Sequence, residues 1–200
     1  MKGGDKMESF YYEEPSLKRK EEALEYIREH RKYNSNINGS GSLHRYMDNY
    51  EGWLLKLEED RTRTPSEEKV PALTYFLIRE NDDKIVGMVN IRLCLDERLK
   101  RCGGHIGYGI RPTERRKGYN KINLYLALET CAENGIEEVY LDCERKNVAS
   151  SKTMQALGGT MIDSYYDYQY RDKVDRYKIN VSESLEKYRD SYEQNIKNMR

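Results

Sequence analysis

The 200-residue sequence has no surplus of either charge, no long apolar run and no metal-ligand spacing, and each absence closes off a class of function. Lys plus Arg and Asp plus Glu both number 35, so the formal net charge is zero. A nucleic-acid binder normally carries a clear basic excess, so no nucleic-acid partner is expected. The charges alternate in sign, as on solvated helix faces. No apolar stretch approaches the ~18 residues of a membrane span, so no membrane partner is expected either. The start, "MKGGDKMESFYYEEP", lacks the apolar segment of a signal peptide, and a cytoplasmic location is the expectation. Cys94, Cys102, Cys131 and Cys143 form no C-x-x-C pair, and the histidines are His30, His44 and His105. That spacing suits no zinc site, so no metal is expected and the cysteines read as small reduced hydrophobes. There is no internal repeat. The wealth of Lys, Asn, Tyr and Ile suits an AT-rich bacterial source.

What is present has the length of one domain with at most an appendage. Ser16 reads as the N-cap of a first helix in which Leu17, Leu24 and Ile27 keep helical spacing. After the loop "NSNINGSGS", Ser42 is expected to open a second helix with Met47, Tyr50, Leu54 and Leu57 on one face. A polar linker runs from Glu59 to Pro71. The period then changes. "ALTYFLIRE" and "KIVGMVNIRLCL" read as a hairpin about "NDDK", and "GGHIGYGIRP" as a third, glycine-laden strand. Glycines inside a strand mark a bulge or a close approach. A helix is expected from about Asn120 to Glu133, ending at Asn134-Gly135. A strand "EEVYLDCE", a helix "NVASSKTMQAL" and a final strand pair, "TMIDSYYDYQY" and "VDRYKINV", follow. From Ser182 to Arg200, residues Leu185, Tyr188, Tyr192, Ile196 and Met199 form one stripe, which must dock on this domain or on a second subunit, making a homodimer one of two options. The order predicts an α/β fold with one parallel crossover in its middle.

"RPTERRKGYNKINLYLALE" sets Arg115, Arg116, Lys117 and Gly118 before an apolar helix. A helix start has amides without intrahelical acceptors and a dipole that favours an anion, and a glycine lets the backbone come close. The stretch is neither the nucleotide loop G-x-x-x-x-G-K-S/T nor the dinucleotide loop G-x-G-x-x-G.

Together, "HIGYGIRPTERRKGYNKINLYLALE" and "VYLDCERKNVASSKTMQALGG" resemble the GNAT superfamily of acetyl-CoA-dependent N-acetyltransferases, over roughly Leu73 to Val181. With "INGSG" and "GGHIGY", the segments look like a bacterial subgroup of predicted acetyltransferases. The family's loop, Gln/Arg-x-x-Gly-x-Gly/Ala, is matched at Arg115-Arg116-Lys117-Gly118-Tyr119, with Asn120 in place of the last Gly or Ala. The resemblance implies a mixed, mostly antiparallel sheet with a central splayed parallel strand pair, flanked by helices. It implies a GNAT domain over residues 1–181, in which the N-terminal helix pair, 16–60, forms part of the acceptor site, and a helical extension at 182–200.

It further implies that the backbone from Arg116 to Asn120, flanked by Arg115, holds the pyrophosphate of acetyl-CoA. Gly109 and Ile110, on a bulged strand, would pair with the pantetheine, and one of their amides would face the thioester carbonyl. Asn147 and Ser150 would assist on the cofactor side. His105, where histone-type members carry a glutamate, is the candidate base; alternatively it is a buried strand residue that orients the bulge. Many members place a tyrosine acid at the position of Met154, so Tyr108 and Tyr140 are the nearby phenols, Tyr108 the one assigned to catalysis. Asp163, Tyr165, Tyr166, Asp167, Tyr168 and Tyr170 could form an acidic, aromatic wall suited to a small cationic amine, or be ordinary strand packing. The expected reaction is acetyl transfer to a primary amine by direct attack. The alternative is a CoA- or acyl-CoA-binding module that has lost catalysis.

Overall fold

The computed structural model describes residues 8–66, 69–168 and 171–196. Tyr170 and Met199 lie outside them. Strands β1 (Phe10–Glu13), β2 (Ala72–Arg79), β3 (Lys84–Arg92) and β4 (Ile106–Ile110) form one sheet in that order. Strands β5 (Glu138–Glu144), β6 (Thr160–Asp167) and β7 (Asp172–Asn180) form a second, ordered β5-β7-β6. Every paired ladder is antiparallel.

All eight residues of β2 are buried, which is why its sequence does not alternate and is apolar apart from Thr74 and Arg79. Its side chains serve two cores. Phe76 and Ile78, with Ile85 and Met88 of β3, pack under α1 (Lys20–Lys32) and α2 (Tyr50–Thr62), against Tyr26, Ile27 and Trp53. On the opposite face Leu77, Val86 and Val89 pack with Leu124 and Leu128 of α4 (Tyr119–Glu133) and with Val139 and Ile179 of the second sheet. Because α4 is enclosed between the sheet and its neighbours, it is apolar nearly all round.

The remaining helices are α3 (Glu97–Arg101), α5 (Val148–Ala156) and α6 (Val181–Tyr192). The last begins one residue before the expected extension. Its residues Leu185, Tyr188 and Tyr192, with Ile196 beyond, pack on the core around α4, so the stripe is docked within its own chain. Ser184 donates to the Leu157 carbonyl at 2.7 Å, and the Tyr125 and Tyr192 rings lie 5.2 Å apart.

Several local expectations are corrected. Ser16 makes no side-chain cap; Leu17–Arg19 is a 3-10 turn, and α1 starts at Lys20. Ser42 has φ +70, makes no side-chain cap and leads only into a 3-10 turn, Leu43–Arg45. The second helix starts at Tyr50 instead, capped by Asn49, whose side chain accepts from the Gly52 amide at 3.0 Å; Met47 lies before it. Strand β1 and helix α3 were not expected.

The expected parallel pair does not form a ladder among the described residues. Gly104, two residues before β4, meets Leu141, in the middle of β5, through an isolated antiparallel-type bridge. Beyond it β5 pairs with β7 on its other side, and β4 and β5 part.

Candidate active site

Strand parity decides which way the backbone of β4 faces. The Arg92 amide bonds to the His105 carbonyl and the Arg111 amide to the Val86 carbonyl, both at 2.8 Å. Bonded and non-bonded pairs alternate in an antiparallel ladder, so Gly107 and Gly109 bond to β3, while the amides of Tyr108 and Ile110 point toward the gap beside β5. Of the two expected oxyanion donors, Gly109 and Ile110, the register places Ile110 on the free edge. The expected bulge is absent: the β3–β4 register runs without a shift from Ile106 to Ile110. The irregularity lies between Leu77 and Ile78 of β2.

The glycines of β4 have a second use. A Cβ on Gly39 would come within 2.8 Å of the Gly107 carbonyl oxygen, and one on Gly109 within 3.0 Å of the Asn38 carbonyl oxygen. The loop between α1 and α2 thus lies directly on one face of the strand. It also spans the ends of the gap, with Ser35 Oγ 2.6 Å from Arg115 and Asn36 Nδ2 3.1 Å from Glu144.

After β4 the chain turns through Pro112–Glu114 into the basic loop. Arg116 (φ +66) and Gly118 (φ +85) both take left-handed conformations. A side chain added at Gly118 would meet nothing within 4 Å, so the helix start is open. The Lys121 amide bonds back to the Gly118 carbonyl at 3.0 Å, and the amides just before it belong to the set a helix start leaves without intrahelical acceptors. The three cations differ. Arg115 is bound to Ser35 and, at 3.2 Å, to the Ile110 carbonyl. Lys117 is held at 2.7 Å by Glu114. Arg116 is exposed and makes no ion pair among the described residues.

Glu114 is the anchor of this turn. It is buried and also accepts from Arg79 at 2.7 Å and Lys84 at 2.8 Å. Burial works to raise its pKa, but the hydrogen bonds from Arg79, Lys117 and Lys84 prevail and lower it to about 2. Tyr119, whose hydroxyl lies 3.2 Å from Arg79, ties the first turn of α4 to the same network.

Tyr108 crosses the gap. Its buried hydroxyl lies 2.9 Å from Ser150 Oγ on α5, and burial pushes its pKa well up. Asn147 caps α5, accepting from the Ser150 amide at 3.2 Å, which leaves its Nδ2 as a donor. The Asn120 side-chain oxygen is buried without a partner among the described residues. Met154 is buried in the core.

His105 closes the narrow end of the gap. Its amide bonds to the Tyr140 carbonyl at 2.7 Å, and its Nδ1 accepts from the Tyr140 amide at 3.1 Å. The neutral ring therefore carries its proton on Nε2. Burial, with Arg92 and Arg176 nearby, lowers its pKa to about 4; His30, on the buried face of α1, is likewise lowered to about 4, chiefly by burial. Both rings bind protons more weakly folded than unfolded, so stability is complete above the unfolded value of 6.5 and declines as pH falls toward 4. Glu114 adds a later decline, from its ordinary 4.5 down to about 2. Melting temperature against pH is expected to show two acid steps, with His105→Gln reducing the first and sparing the second.

A cleft of about 870 Å³ opens beside β4, lined by the 37–42 loop, His44, Arg45, one side of α2, Asn90 and Arg92 of β3, Arg98, Leu99 and Gly107. The expected acidic and aromatic wall is not part of it. Asp163, Tyr166 and Tyr168 are exposed on or just beyond β6, the Tyr165 hydroxyl donates to Asp142 at 2.8 Å, and Asp167 lies 3.3 Å from Cys102 Sγ. Among the described residues no three His, Cys, Asp or Glu side chains gather as a metal site, and no helix is long and apolar enough to cross a membrane.

This arrangement, a strand with a free edge followed by an open glycine turn and a helix start, coincides with a match to the family model for acetyltransferases of the GNAT family over residues 42–158, more than half of the chain. The chain belongs to the GNAT acetyltransferase family. Solved structures agree on the fold. The microcin C7 self-immunity acetyltransferase MccE, in complex with acetyl-CoA and AMP, superposes with a TM-score of 0.63 at 16% identity, covering 86% of this chain and 92% of that one. RimJ of Mycobacterium smegmatis, in complex with CoA-disulfide, gives 0.67 at 11% identity, covering 90% and 88%. A spermidine N-acetyltransferase SpeG chimera of Vibrio cholerae and hSSAT gives 0.61 at 12% identity, covering 89% and 99%. No curated protein matches the sequence.

Within this GNAT domain, the sequence reading missed Glu114 and the basic cleft. Glu114 was legible only as one more acid in a charged turn. The lining of this basic cleft is drawn from six separate segments, so no local motif could signal it.

Proposed function

We propose that the protein is an N-acetyltransferase that moves the acetyl group of acetyl-CoA directly to the primary amine of a small acceptor. The observation that carries this is the free Ile110 amide on β4, continuous with the open turn at Gly118. When bound, acetyl-CoA supplies the activated acyl carbon. The Ile110 amide is a fixed donor for charge developing on the thioester oxygen. The amides from Arg116 to Asn120 and the start of α4, with Arg116 beside them, suit the pyrophosphate. Asn147 Nδ2 is available to the pantetheine arm, and Ser150 holds Tyr108 across the gap.

Direct attack is supported by the cysteines. Burial raises Cys131 to about 12 and Cys143 to about 11, and it raises Cys94 and Cys102 as well, so none offers a ready thiolate. The acceptor amine, with a pKa near ~10, must lose a proton, and we assign that proton to solvent rather than to His105, whose Nδ1 is already taken. The departing thiolate is also protonated by solvent, because the Tyr108 phenol is a weaker acid than a thiol of pKa ~8.5. His105 and Tyr108 then act by holding the two ends of the gap.

One observation favours the second reading, a CoA-binding module without turnover: neither ring at the gap is free to move a proton. Acetyl-CoA calorimetry together with thiol release across a panel of amines separates the two. Binding with amine-dependent thiol release supports the transferase. Binding alone leaves the module, and no binding by folded protein overturns both.

A further inference from the structure

Resting on the transferase reading, we propose that the cleft beside β4 selects an acceptor bearing an anionic group, a carboxylate or phosphate set apart from the attacking amine. Its lining carries six Lys or Arg residues (Arg45, Lys56, Arg63, Lys69, Arg92 and Arg98) against two acids, Glu59 and Asp60. Asp60 is already shared between Lys56 and Arg63, the latter at 3.0 Å. The remaining excess among the lining residues is therefore positive. Arg92 braces the Gly103 and Gly104 carbonyls, at 3.2 and 2.7 Å, and positions the start of β4. Arg45 makes no ion pair among the described residues, and Arg98 has only a 3.7 Å contact to Asp96, with its side chain 66% exposed.

A second observation points to a ligand. One donor of a lining residue, Arg63 Nε, is shielded from solvent and has no hydrogen-bond partner among the described residues. A buried donor left unmet is costly, and an oxyanion is a common acceptor for a guanidinium N–H. The volume, about 870 Å³, suits a small molecule. Gly107 lines the cleft and stands three residues before Ile110, roughly 10 Å along the strand. An acceptor whose amine reaches the edge would extend its anionic end back into the cleft.

The test compares glutamate and O-phosphoserine with glutamine, serine and spermidine as acceptors, beside an acidic tetrapeptide. The acidic small amines are expected to show the lowest KM, rising with added salt. Arg45→Gln and Arg98→Gln, both at exposed side chains, are expected to raise that KM ~10-fold each while the KM for acetyl-CoA holds. A faster neutral or cationic counterpart, or variants that leave the KM within twofold, overturns the inference with the transferase intact. Acetylation of the tetrapeptide but of neither small acid overturns the small-acceptor assignment. Thermal shift of the protein by the same two acids reads the cleft without catalysis. An absent shift, or one that survives both substitutions, also overturns the inference, whereas failure of acetyl-CoA to bind strikes at the transferase reading alone.

Discussion

Gly118→Trp is expected to raise the Kd for acetyl-CoA at least ~100-fold, a loss of about 2.7 kcal/mol read by calorimetry. Gly118 holds φ +85 at the N-cap of α4, and the space where a Cβ would stand is empty to 4 Å. An indole there meets no protein atom at its root, so it fills the volume that the amides of the turn face. A non-glycine residue in the left-handed region costs ~1–2 kcal/mol in its own right. Gly135, at the other end of the same helix, has φ +71 and an equally open Cβ position. Gly135→Trp therefore carries a similar conformational cost and serves as the control, with a similar fall in melting temperature and an unchanged Kd. Equal affinity in the two variants would remove the turn from the cofactor site.

Glu114→Gln is expected to lower the melting temperature by about 10 °C, the largest single-residue effect on stability outside the apolar cores. The carboxylate sits buried among Arg79, Lys84 and Lys117, and its removal leaves a buried guanidinium short of a partner. Breaking such a pair costs about 3–5 kcal/mol, and each kcal/mol is worth ~2–4 °C in a domain of this size. The variant is also expected to show a smaller acid step than wild-type protein between pH 4.5 and about 2, because the contribution of Glu114 is gone while Glu29, Asp82, Asp83 and Asp175, also held low, remain. Thermal melts of both proteins across that range read both effects. A variant melting within 2 °C of wild type would show that Asp82, 2.6 Å from Arg79, carries the network by itself.

Periodicity and glycine placement made the central fold legible. β2, β3, the β4–α4–β5 crossover and the final hairpin lie where the apolar patterns put them, and α4 starts one residue from its expected place. What stayed hidden was short or set by tertiary contact. β1 is four residues long and shows its alternation only at Phe10 and Tyr12. Helix α3 is five residues without an apolar face to read. Ser42 looked like a cap because serine usually is one; its left-handed backbone turns the chain under Trp53, whose indole donates to the Gly41 carbonyl at 3.0 Å. At the site, the glycine before α4 stood out in the sequence as a turn ahead of an apolar helix, and it was the family resemblance that drew attention to Asn147, the cap of α5. The orientation of His105 was not legible, because its partner Tyr140 lies 35 residues away on another strand.

The contact of Gly39 with β4 restricts how this enzyme could be retargeted. The loop between α1 and α2 and strand β4 touch backbone to backbone, with no room for a methyl group at Gly39. Lengthening or recasting residues 36–41 would displace the strand that carries the chemistry. If the cleft receives the acceptor as proposed, its preference is to be changed through lining side chains such as Arg45, Lys56 and Arg98, and not through remodelling of the loop. The scaffold separates what can vary from what must stay.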